Sequence, residues 1–92
     1  MEENRFYVRR STDGGESFEA ISSHYSALGA MLAMRRMVLE TVSQLIDDNE
    51  DFSLCQTNDS RWPNAWGYAN NGYMVTYNFQ KIMFEIVDTE YV

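Results

Sequence analysis

One cysteine, one histidine and one proline in 92 residues leave little raw material for covalent or metal chemistry. The lone Cys55 cannot form an internal disulfide and fits a reducing compartment. One His and one Cys cannot by themselves build a structural zinc site, which takes several ligands at close spacing. Glycine-rich phosphate loops and the Gly-x-Ser-x-Gly elbow of hydrolases are missing. So is any run of about 18 apolar residues, so no membrane-spanning helix is expected. The opening stretch, MEENRFYVRR, is acidic and lacks the apolar segment of a signal peptide, so a cytoplasmic protein is expected. Basic residues are scarce, 7 against 14 acids, for a net charge of −7. No internal repeat, low-complexity segment or linker divides the chain. A single domain over 1–92 is expected, with 88–92 as an acidic C-terminal tail.

The charge is uneven. Residues 1–46 carry six acids and five arginines, whereas residues 47–92 carry eight acids and two bases. Such a second half repels phosphate backbones, which disfavours direct nucleic-acid binding. It attracts basic protein surfaces, including those that normally hold nucleic acid. Acidity of this kind also serves solubility alone.

Aromatics are plentiful, 13 in all, and the patterning is that of a packed domain. RFYVRR (5–10) and SFEAI (17–21) read as paired strands, joined by turn chemistry at Ser11-Thr12-Asp13-Gly14-Gly15. Ser23 or Ser26 suits a helix N-cap. From Ala27 to Ile46 apolar residues recur at helical spacing: Leu28, Met31, Leu32, Val38, Leu39, Val42, Leu45 and Ile46. Ala30, Ala33, Met34 and Met37 widen that stripe. Arg35 falls in the apolar sector, and is expected to snorkel, to pair with Glu19 or Glu85, or to sit at a partner interface. The acids of 47–51 oppose the macrodipole at a helix C-terminus, so the helix should stop before them. FSLCQ (52–56) reads as a strand, with Cys55 packed. TNDSRWPN (57–64) is a loop. AWGYA and YMVTY read as a hairpin about Asn71-Gly72, which suits a type I′ turn. FQKIMFEIV (79–87) carries both periods. The β-rich context and a short turn at Asn78–Gln80 favour a strand.

The expected architecture is α+β: an antiparallel sheet of five to six strands, ββαβββ(β), with one long helix packed on one face. The other sheet face then lacks a covering helix, and a homodimer or a partner could use it.

STDGGESF (11–18) resembles the Asp-box of sialidase propellers through Ser11, Asp13, Gly15, Ser17 and Phe18. In those families the box is a structural hairpin element. The likeness covers eight residues and implies a hairpin turn, with no catalytic position carried over.

The residues expected to bind a partner fall in two groups. One is acidic: Asp47, Asp48, Glu50 and Asp51, with Asp88 and Glu90. The other is an aromatic loop with a cation: Arg61, Trp62, Trp66, Tyr68 and Tyr73, a hot-spot composition. No catalytic residue, cofactor or metal is expected. Asp47–Asp51 lacks the alternating acids and the central glycine of a calcium loop. With these features the chain resembles, in style, the small acidic inhibitors of phages and mobile elements, anti-CRISPR and anti-restriction proteins among them. That likeness implies a non-enzymatic module occluding the basic nucleic-acid surface of a host nuclease. A second reading is a DNA-binding or regulatory module. Arg5, Arg9 and Arg10 on a hairpin before a helix resemble the ββα layout of domains that read DNA with strands. A third, remote reading is a small enzyme using Cys55 and His24.

Overall fold

The structure, a computed structural model, describes residues 4–57 and 71–91. The elements run β1 (Phe6–Ser11), β2 (Glu19–His24), α1 (Ala27–Asp47), β3 (Ser53–Thr57), β4 (Gly72–Tyr77) and β5 (Gln80–Asp88), with a 3-10 turn at Thr89–Tyr91. Among the described residues this is one helix on a five-stranded antiparallel sheet of order β2-β1-β5-β4-β3, the expected α+β layering. The first strand lies beside the last. Phe6 pairs with Asp88 and Ser11 with Met83. The helix links β2 to β3, which are opposite edges of the sheet, so it must cross the strands between them. It packs on β2, β1, β5 and β4.

FQKIMFEIV forms a strand because its period-2 set faces α1. Phe84 and Ile86 are buried and Ile82 packs against them. Val8 of β1 and Val75 of β4 complete this face, under Ala30, Met31, Met34 and Val38 of the helix. β1 and β2 slip register between Val8 and Arg9, which leaves Ile21 of β2 as the unpaired residue of a bulge.

Several expectations are corrected. The helix stripe is rotated: Ala30 and Met34 are fully buried, while Leu28, Leu32, Leu39 and Ile46 are exposed. Helical periodicity marks an apolar sector wider than one sheet can cover, and the small residues allow the closest approach to it. Arg35 is also exposed. Glu19 and Glu85, its expected partners, sit instead against Arg10 and Arg9. β2 extends past the expected Ile21 to His24, and Ser26 is the N-cap, its Oγ accepting from the Gly29 N–H at 3.0 Å. α1 runs into the acidic stretch and ends at Asp47, with Asp48 as its C-cap and Asn49 beyond it in the left-handed conformation at φ 57°.

The Asn71-Gly72 turn is replaced as well. β3 and β5 fill both edges of β4, so no third strand can pair there. AWGYA itself falls outside the described residues. Gly72 serves close approach: a Cβ there would collide with Thr57 Oγ1 and come within 2.8 Å of the Phe84 carbonyl oxygen. Asn71 caps the ladder, its Nδ2 donating to the Ile86 carbonyl at 3.1 Å. A two-residue hairpin turn with paired positive φ forms between β4 and β5 instead, at Asn78-Phe79, with φ of 46° and 64°.

This packing gives an expected contrast. In dilute solution, Met34→Ala and Phe84→Ala should each cost about 2–5 kcal/mol. Leu32→Ala should stay within about 0.5 kcal/mol. Urea unfolding followed by circular dichroism measures both, and equal losses at Met34 and Leu32 would refute the rotated stripe.

Candidate protein-interaction surface

The sheet has two ends of different character. At one end lie the start of β1 and the end of β5. Arg5 grips Asp88 there with two hydrogen bonds of 2.8 and 2.9 Å and reaches Glu90 at 3.0 Å. Asp88 is buried and its Oδ1 also accepts the Glu90 N–H. It therefore holds the strand end in place and is unavailable as an exposed acid. Glu90 is exposed but sits with Arg5.

The other end gathers the Asp13 loop, the C-terminus of α1 and the β4–β5 turn. The connection at Gly14 is direct, its N–H donating to the Lys81 carbonyl at 3.2 Å. Asp48 and Glu50 line a shallow groove with Tyr77 and Ile82. Asp47, Asp48, Glu50 and Asp51 are all exposed, with no basic residue in the last helical turn. Among the described residues none of the four takes part in an ion pair. Gln44 donates to Asp48 at 3.1 Å, a weak compensation for carboxylates at the negative end of a helix. Asp88 lies six residue steps along β5 from Ile82, about 20 Å. The expected acidic set is therefore split, with Asp88 and Glu90 remote from the other four.

At the tip of this end Phe79 is fully exposed. It sits at the second position of a type I′ turn, where glycine is the comfortable residue and a bulky side chain is strained. Sequence reasoning placed Phe79 in an apolar period and missed it as a surface feature. An aromatic following Asn at the centre of a tight hairpin was the available signal.

The 11–18 loop is built as the motif suggests. Ser11, buried, donates to Asp13 Oδ1 at 2.6 Å and accepts the Gly15 N–H at 2.8 Å. The Ser17 N–H donates to Asp13 Oδ1 at 3.0 Å, and the Ser17 hydroxyl donates to Oδ2. Gly14 and Gly15 take φ of 76° and 98°, which only glycine adopts freely. Hydrogen bonds from Ser11, and then from Ser17, hold the Asp13 carboxyl well below the usual aspartate value of 3.8. Phe18 stacks under the Arg9 guanidinium at 4.0 Å, and Arg9 also binds Glu85 at 2.8 Å.

The other expected sites fare differently. Tyr73 packs against the core. Arg61, Trp62, Trp66 and Tyr68 lie outside the described residues. Arg5, Arg9 and Arg10 all face carboxylates, Arg10 with Glu19 at 4.0 Å. Cys55 is exposed rather than packed. His24 and Cys55 stand on opposite edge strands, four strand spacings or about 19 Å apart. His24 Nε2 bonds Ser22 Oγ instead, at 2.8 Å. Among the described residues, no three His, Cys, Asp or Glu side chains converge on a metal-sized site, and no helix is long and apolar enough to cross a membrane. Compared with known protein families, curated proteins and solved structures, the chain matches none.

The depressed Asp13 fixes a pH dependence. Its carboxylate stabilises the fold above the ordinary aspartate value, and that contribution fades as pH falls below it. Asp13→Asn should therefore lower Tm at pH 7, and the gap to wild type should narrow below about pH 4. A gap constant from pH 7 to pH 3 in thermal melts would show that the loop does not depend on the charge.

Proposed function

We propose that this protein is a non-enzymatic protein-binding module that presents its acidic end to a basic protein surface. The observation that carries the reading is one molecular end bearing Asp47, Asp48, Glu50 and Asp51, exposed and without cationic partners among the described residues, beside a fully exposed Phe79. Like charges gathered at the negative end of a helix cost stability unless something outside the chain neutralises them. A cationic surface would do so, and it would be drawn in by long-range attraction. Phe79 supplies an exposed apolar anchor at the same end of the molecule.

The particular partner we propose is a basic nucleic-acid-binding protein, with occlusion of its phosphate channel as the effect. Carboxylates that replace phosphates in such a channel compete directly with nucleic acid. DNA binding by the chain itself is the weaker reading, because Arg5, Arg9 and Arg10 already face carboxylates. A Cys–His enzyme is weaker still, given the separation of the two strands.

The test is capture from nuclease-treated bacterial lysate with wild type, with the variant Asp47→Lys, Asp48→Lys, Glu50→Lys, Asp51→Lys, and with Phe79→Ser. The expected result is a basic protein retained by wild type, lost with the fourfold reversal, weakened by Phe79→Ser and released by added duplex DNA. Capture that is the same for wild type and reversal, or that is indifferent to DNA, would overturn the proposal.

A further inference from the structure

The exposed flank of α1 has a regular spacing. Leu28, Leu32, Arg35, Leu39, Val42 and Ile46 follow one another at intervals of 4, 3, 4, 3 and 4 residues; all are exposed but Val42, which is half-buried at the edge of the core. That is the 3.5-residue repeat of a coiled-coil seam, continued for nearly three heptads. The four large aliphatic side chains of this row are 51%, 58%, 65% and 61% exposed in chain order. The buried face of the helix is a different row, through Ala27, Met31, Met34, Val38 and Leu45. The helix thus carries two apolar rows that meet at Val42, and the sheet leaves Leu28, Leu32, Leu39 and Ile46 of the second uncovered. A row of large aliphatics at heptad spacing, left in water, is the feature of an interface.

We infer that this flank pairs with the same flank of a second copy, as an antiparallel helix dimer. Charge selects both the occupant and the direction. Arg35 and Arg36 lie in the N-terminal half of the row and Glu40 in the C-terminal half; all three line the same groove with Leu32 and Leu39. Among the described residues none of the three takes part in an ion pair. The surface is therefore self-complementary. A dyad near Met37 sets Leu28 against Ile46, Leu32 against Val42 and Arg35 against Leu39 of the second copy. Arg35 and Arg36 then lie within a turn of its Glu40, and the arrangement repeats on the other side of the dyad. Parallel pairing would set Arg35 against Arg35 instead. It would also stack two sets of Asp47, Asp48, Glu50 and Asp51. Antiparallel pairing holds those sets about 30 Å apart, the length of a helix of 21 residues and well beyond the screening length of about 8 Å. The Arg at a seam position selects register and orientation at some cost in affinity. A single helix pair is small for a specific interface, so a micromolar constant is expected. The pairing places Asp47 at the end of the seam and leaves Phe79, Asp48, Glu50 and Asp51 outside it, so it stands or falls separately from the proposed partner site.

Sedimentation equilibrium of the full chain from about 1 to 200 micromolar tests it, a range that brackets a micromolar constant. Wild type should pass from monomer to dimer, and Leu39→Lys should remain monomeric. Two charge variants, Arg35→Glu with Arg36→Glu, and Glu40→Arg, should each self-associate about tenfold more weakly. Mixed in equal amounts they should form a heterodimer of wild-type strength, which also shows that both fold. A fully reversed chain carrying all three changes should dimerise alone and fail to pair with wild type; pairing with wild type would instead indicate the parallel arrangement. A wild type monomeric throughout, or a dimer indifferent to Leu39→Lys and to the charge variants, would overturn the inference.

Discussion

The pairing of the first strand with the last is the constraint on which the remaining structure depends. β1 and β5 lie side by side in the middle of the sheet, joined from Phe6–Asp88 to Ser11–Met83. Each brings a local hairpin with it, β2 on one side and β4 with β3 on the other. Neither hairpin has an apolar face large enough to stand alone in water. Joined, they present Val8, Val75, Phe84 and Ile86 as one continuous floor for α1. The helix must then cross from one sheet edge to the other, which sets its direction and hence which flank is buried. A fold closed by contacts between its two ends has a high loop-closure cost.

Arginine chemistry reinforces the same seam. Arg5, just before β1, and Arg9 on β1 reach Asp88 and Glu85 on β5, while Arg10 faces Glu19 on β2. Three of the seven bases in the chain are thereby taken up in joining strands. What remains at the far end of the sheet is a carboxylate cluster with no cation in the last helical turn, beside an aromatic held in a strained turn. The internal pairing of the arginines thus also shapes the external field.

The correspondence between sequence and structure differs from element to element. The strand at 80–88 was legible because Ile82, Phe84 and Ile86 alternate and a turn precedes them. The Asp13 loop was legible because Ser, Asp and Gly make their hydrogen bonds within a few residues of one another. The helix was legible in extent and misread in orientation, since Leu28, Leu32, Leu39 and Ile46 satisfy helical spacing as well as Met34 and Val38 do. The Asn71-Gly72 pair misled, because a glycine required for close approach to Phe84 has the same one-letter signature as a glycine required for a turn. For the candidate site, the four acids of 47–51 were legible as a run. Asp88 was misassigned, because nothing local reveals that Arg5, 83 residues away, will bury it. Phe79 is harder to place for a different reason: its apolar side chain also fits the period of the segment that follows it, which masks the turn signal of the preceding Asn78.

By itself the sequence determined the α+β class, the strand and helix segments, the acidic bias and the chemistry of the first turn. All of these rest on interactions within about a turn or a hairpin of each residue, which periodicity and composition record. Only the tertiary structure decided which apolar row of α1 meets the sheet, which acids stand together and which are neutralised, and how far His24 lies from Cys55. Those outcomes follow from the β1–β5 pairing. That pairing couples residues from opposite ends of the chain, and no local pattern carries such information.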